Sequence, residues 1–128
     1  MPGFVRFRQA LAALFLLGCS HLGAQSLQWE WLVPKTHDFG NIPRHQEATY
    51  TFEYRNTGSE PLYIDNVRTS CGCTAPDWEE KPIPPGETGK INIIYDAADI
   101  GYFIKSIKVY FHGRRKADKL YIEGDVVN

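Results

Sequence analysis

The side chains best placed for chemistry are two cysteines separated by one glycine, in Ser70-Cys71-Gly72-Cys73-Thr74. Residues two apart on extended backbone project to the same side. Gly72 adds the freedom to bend the segment so that the sulfurs can meet. Three readings follow: a disulfide clip that shapes a loop, a thiol–disulfide site that cycles between two states, or a soft-metal site such as Cu(I) with both thiolates as ligands. Closing so short a loop removes only roughly 1.5 kcal/mol of unfolded-state entropy, and strain offsets part of that. Global stabilisation is therefore a poor reason for the pair, and a strained local bridge is easy to reduce.

Against redox chemistry, the order is Cys-Gly-Cys rather than Cys-x-x-Cys, and no helical pattern is available to depress a thiol pKa. Against a closed zinc centre, two ligands are too few, and His37, His45 and His112 would have to converge through folding. Other motifs dissolve on inspection. Gly86-Glu87-Thr88-Gly89-Lys90 has the wrong spacing for a phosphate loop, lacks the following hydroxyl and precedes no helix, so it reads as a turn. Asp77, Glu79 and Glu80 read as a solvated loop beside Trp78. Arg114-Arg115-Lys116 reads as a charged hairpin tip that serves solubility. At least one of Trp29 and Trp31 is expected in the core, the alternative being an exposed carbohydrate- or protein-binding patch.

The third cysteine, Cys19, lies in an N-terminal segment with the marks of an export signal. Arg6 and Arg8 precede the apolar run Ala10-Leu11-Ala12-Ala13-Leu14-Phe15-Leu16-Leu17. Eight helical residues span only about 12 Å against a bilayer core of roughly 30 Å, so a cleaved signal peptide fits better than an anchor. Leu22-Gly23-Ala24 resembles an ordinary cleavage site, which makes 1–24 the signal and 25–128 a single domain. Leu16-Leu17-Gly18-Cys19 resembles a lipobox, in which Cys19 would be acylated; the Leu at its second position favours the first reading. Membrane contact is expected only if Cys19 carries that acyl chain.

The whole chain has 128 residues, 43% of them hydrophobic and 23% charged, the balance of a protein that buries a core. Without residues 1–24 the remainder holds 12 basic and 15 acidic residues, a formal charge of −3. That sign argues against a nucleic-acid partner.

The elements that must hold the cysteines follow a period of two. Leu27, Trp29, Trp31 and Val33 share one parity up to Pro34. Tyr50, Phe52 and Tyr54 form a half-buried strand ended by the turn chemistry of Asn56-Thr57-Gly58-Ser59-Glu60-Pro61. Leu62 and Ile64 lead to Val67, and Ile91, Ile93 and Tyr95 form the next alternation. A long strand from near Tyr102 carries Ile107, Val109 and Phe111, and a polar hairpin loop over 112–118 joins it to Leu120, Ile122 and Val126. Gly124 marks a bulge. Pro82, Pro84, Pro85 and Gly86 confine their segment to an edge or loop. The pattern predicts an all-β fold, an immunoglobulin-like β-sandwich of about seven strands whose open edges can pair with a partner.

The order of motifs carries a resemblance. His37-Asp38-Phe39-Gly40-Asn41-Ile42 is followed by Tyr50-x-Phe52, Asn56-Thr57-Gly58 and Pro61-Leu62-x-Ile64-x-x-Val67. Then come Ser70-Cys71-Gly72-Cys73-Thr74-x-Pro76, Pro82-Ile83-x-Pro85-Gly86-x-x-Gly89-x-Ile91 and Tyr95-Asp96. Over about residues 35 to 127 this resembles the bacterial domain of unknown function family 1573, an exported family common in Bacteroidetes. The resemblance implies an immunoglobulin-like fold similar to domains of cilium- and centrosome-associated proteins, and it implies no activity. One departure is visible: the family often has an Asn and a Pro in the last hairpin, where this chain has His112 to Lys119.

The expected role is that of an exported binding or scaffolding module in the periplasm or at the outer membrane. It is expected to be no enzyme, to need no cofactor or metal, and to bind an envelope protein or another exported domain through an edge strand or the loops around Cys71 and Cys73. The rival is a thiol–disulfide or copper-handling protein that uses those two cysteines.

Overall fold

Alternation of apolar and polar side chains is what a strand needs to bury one face, and it governs nearly the whole of this chain. The computed structural model describes Gly3 and residues 27–128. Along the chain run β1 (Trp29–Trp31), β2 (Thr36–Pro43), β3 (Ala48–Asn56), β4 (Ile64–Thr69), β5 (Thr74–Trp78), β6 (Thr88–Tyr95), β7 (Gly101–Phe111) and β8 (Asp118–Val127). They form two four-stranded sheets, ordered β1-β3-β6-β5 and β2-β8-β7-β4. The fold is all-β and immunoglobulin-like.

The sheets face each other across a core to which both contribute. Phe52, Ile91 and Ile93 of the first sheet and Ile107, Val109, Leu120 and Ile122 of the second are fully buried. Burying each such side chain stabilises the fold by about 1.5–3 kcal/mol before entropy is charged against it. The polar residues between them face water.

Two strands lie outside the alternations visible in the sequence. β2 pairs parallel with β8, and its register shifts between Asp38 and Asn41. β5 pairs antiparallel with β6 and contains Pro76, tolerated because β5 is an edge. The proline segment is a loop that forms an isolated bridge, Leu62 with Ile83. Its turn spans Pro84 to Glu87: the Glu87 N–H donates to the Pro84 carbonyl at 3.1 Å, and Gly86 takes a φ of +83°. Thr88-Gly89-Lys90, read in the sequence as part of that turn, instead opens β6.

Gly124 has a different job from the one its position suggested. It pairs in regular register with Phe103, and the bulge lies opposite, in β2, where Gly40 has a φ of +66°. A β-carbon on Gly124 would come within 2.9 Å of the Phe103 ring and 3.0 Å of the Gly40 carbonyl. The glycine lets the bulge and the ring close on the strand.

Among the described residues no helix is long and apolar enough to cross a membrane. The remainder of the N-terminal segment expected to be an export signal, Cys19 included, lies outside the described residues.

Candidate functional site

Cys71 and Cys73 occupy the step from β4 to β5, which is also a step between sheets. β4 is an edge of the second sheet and β5 an edge of the first. Ser70 to Cys73 carry the chain across that rim. The two sulfurs sit at disulfide distance, and the Cα atoms are 5.3 Å apart, inside the range of about 4.4–6.8 Å usual for a bridge.

Local hydrogen bonds hold the bend. The Cys73 N–H points at Cys71 Sγ (3.0 Å), and the Thr69 hydroxyl lies 2.9 Å from the Cys71 carbonyl and 3.0 Å from that of Thr74. The Asp96 N–H donates to the Cys73 carbonyl at 3.0 Å. On the β7 side, the Ser106 N–H donates to Ser70 Oγ and its carbonyl accepts the Ser70 N–H. Cys71 and Cys73 are half-buried around an exposed Gly72, and Cys73 packs against the core.

His37, His45 and His112 go to separate tasks. His37 stacks on Tyr50 at 3.6 Å, and burial pulls its imidazole pKa below the ordinary value against an opposing pull from Asp38. His45 adopts a φ of +65° after β2, and His112 Nδ1 lies 3.0 Å from Asp65 Oδ1. Among the described residues no three His, Cys, Asp or Glu side chains come together as metal ligands.

Trp29 and Trp31 are half-buried and pack against the core, as expected of at least one of them. Unseen in the sequence is their shared acceptor: both indole N–H groups donate to Asp118 Oδ2, at 2.7 and 2.8 Å. Trp29 rests on Phe111 (4.1 Å between centroids), and the Arg114 guanidinium lies over its ring at 5.0 Å. Arg114 is therefore more than a hairpin-tip charge. The carboxylates beside Trp78 are exposed, with Glu79 paired to Lys81 at 3.2 Å, while Asp77 and Trp78 belong to β5.

The outer face of the second sheet exposes an apolar stripe at one end. Tyr102 and Ile104 of β7 are 67% and 53% exposed, Ile100 just before them 53%, and Val127 of β8 also faces water. Acidic residues flank it, since Tyr102 pairs with Asp125 and Ile104 with Glu123. The Tyr102 hydroxyl donates to Glu123 Oε2 at 2.7 Å, which raises its pKa. Tyr102 and Ile104 stand on the parity opposite to buried Phe103, a signal that uninterrupted apolarity from Tyr102 to Ile104 conceals.

With this geometry in view the likenesses to known proteins take their place. Residues 31–126 match the family described as Protein of unknown function (DUF1573), and the chain belongs to that family. No curated protein matches it. Its backbone is similar to the crystal structure of a protein of unknown function from Porphyromonas gingivalis W83, with a TM-score of 0.68 and 18% identity, covering 80% of this chain and 48% of that one. It is also similar to the ASH / PapD-like domain of human CEP192 (PapD-like domain 7), with a TM-score of 0.64 and 9% identity over 80% of this chain and 87% of that one. The Vibrio cholerae VesB protease gives a TM-score of 0.63 at 15% identity, covering 80% of this chain and 32% of that one. This chain thus spans about half of the Porphyromonas protein and a third of the protease. At these identities the likenesses speak for the fold.

Proposed function

We propose that this member of the family is an exported, non-enzymatic binding or scaffolding module of the bacterial cell envelope, and that it engages a protein partner. The observation that carries the reading is the stripe of Ile100, Tyr102, Ile104 and Val127, left in water at one end of a sheet face. Apolar side chains gathered in one exposed patch mark interaction surfaces in soluble proteins. The tyrosine supplies a large, stiff contact of the kind that dominates binding energy. Open strand edges at β1, β5, β2 and β4 add a second means of docking by backbone pairing.

The test is a photo-crosslinking side chain placed at Ile104 and, as control, at exposed Glu80, in cells that carry the protein in its native envelope. A discrete protein adduct from position 104 and none from position 80 is expected. No adduct at 104, or the same smear from both positions, overturns the reading.

A second reading uses the cysteines as a thiol–disulfide or copper site, favoured by the solvent-accessible setting of the paired sulfurs around Gly72. It predicts a dithiol that titrates near the periplasmic poise or binds Cu(I) stoichiometrically. Failure of both measurements removes it.

A further inference from the structure

Three hollows lie in a row from the β7–β8 hairpin toward Ser70, each sharing wall residues with the next. One of about 440 Å³ lies beside Trp29, between Lys35, Arg114, Lys116 and Lys119. Arg114 is also a wall of a second, about 290 Å³, shared with Arg68 and Tyr110. Arg68 and Tyr110 in turn line a third, about 230 Å³, which adds Lys108, Ser70 and Ser106. We propose that this row of hollows forms a track that binds an anionic polysaccharide, whose carboxylate, sulfate or phosphate groups are gripped by Arg68 and Arg114.

The charge arrangement supports an anion. Six cations line the track in a chain whose formal net charge is −1. Among the described residues none of the six is in an ion pair; the pairs present are Arg55–Glu30, Lys81–Glu79 and His112–Asp65. The two carboxylates in the walls are already engaged. Asp118 accepts both indole N–H groups, and Asp65 faces His112. Six cations against these two carboxylates leave the walls net positive.

Both guanidinium groups lie over aromatic rings, Arg114 over Trp29 at 5.0 Å and Arg68 over Tyr110 at 5.7 Å. A guanidinium seated this way keeps its edge N–H groups free for bidentate bonds while losing less side-chain entropy on binding. Those seats also separate a saccharide from single-stranded nucleic acid. Nucleic-acid tracks need open aromatic faces on which bases stack. Here Trp29 is covered by Phe111 on one side and Arg114 over its ring, and Tyr110 is capped by Arg68. The polar walls suit sugar hydroxyls: Ser70 Oγ accepts the Ser106 N–H and keeps its own proton to donate.

Binding of dextran sulfate to the purified protein, read by isothermal titration calorimetry and tryptophan fluorescence, tests the track. Neutral dextran and oligothymidylate are the comparison probes. Dextran sulfate is expected to bind with an affinity that falls as salt rises, and to change the emission of Trp29. Arg68→Gln with Arg114→Gln should weaken it by about tenfold or more, as should Lys108→Gln with Lys119→Gln. Lys81→Gln with Lys90→Gln, off the track, should leave it within about twofold. Absence of dextran sulfate binding, tighter binding of oligothymidylate, or equal weakening in the off-track pair overturns the proposal.

Discussion

Asn56 reaches from the end of β3 into the molecule and donates through Nδ2 to the carbonyl of Ile83, 2.8 Å away in the proline loop. The same amide nitrogen donates to the Glu60 carbonyl at 2.8 Å, and its Oδ1 accepts the Gly58 N–H at 2.9 Å. Its backbone joins in, donating to Glu87 and accepting from Gly86. One buried side chain thus ties two loops to a strand end.

Asn56→Ala leaves the Ile83 carbonyl in the interior without that donor. The Ile83 carbonyl keeps the Leu62 N–H and Glu60 is exposed, so the variant should lose about 1–2 kcal/mol, at the lower end of the range for a disturbed buried hydrogen bond. Urea denaturation measures this. A loss under about 1 kcal/mol would show that water replaces the amide.

Gly89 sits directly under Tyr54, its antiparallel partner on β3. An added β-carbon would meet the Tyr54 ring and hydroxyl at 2.4 Å, and that ring is buried and cannot swing aside. Gly89→Ala should cost about 1–3 kcal/mol by overpacking. Combined with Tyr54→Leu, which clears the space, it should cost less than the two single losses together. Strict additivity in that cycle would place the strain elsewhere.

Tyr54 also makes stability depend on alkaline pH. Burial, aided by the charge of Glu79, pushes its phenol up to about 12 from an ordinary 10. The unfolded chain therefore releases this proton first. The contribution is whole below pH 10 and is lost as pH rises toward 12, at up to about 1.4 kcal/mol per pH unit. Denaturation at pH 9 and 11.5 should show a smaller drop for Tyr54→Phe than for the parent chain. Equal drops would mean that the phenol ionises within the fold.

The burial of Phe52, Ile91, Ile107 and Leu120 is legible because each sits in an alternation that only a sheet with one wet face produces. β2 and β5 are not legible in that way. Thr36 to Pro43 joins its sheet through parallel pairing to a strand more than eighty residues later, and Pro76 disguises β5 as a loop. The meeting of Trp29 and Trp31 with Asp118 is set by the same long-range closure, at sequence separations of 89 and 87. The cysteine pair was legible as a bend because its chemistry is local, whereas its position at the passage between two sheets is a property of topology.

That position sharpens what removal of the sulfurs should do. Cys71→Ser with Cys73→Ser abolishes any bridge, yet the chain must still pass from β4 to β5 in the four residues Ser70 to Cys73. The Thr69 hydroxyl, the Asp96 N–H to the Cys73 carbonyl, and the Ser70–Ser106 bonds all remain. The entropy of so short a loop amounts to roughly 1.5 kcal/mol, so the double variant should lose no more than about that and should unfold in one cooperative step. The core residues flanking the bend, Val67 and Tyr95, stay buried and hold the edges together. A loss above about 3 kcal/mol, or a broadened transition with a smaller denaturant slope, would show that the clip rather than the core holds β4 and β5 in place.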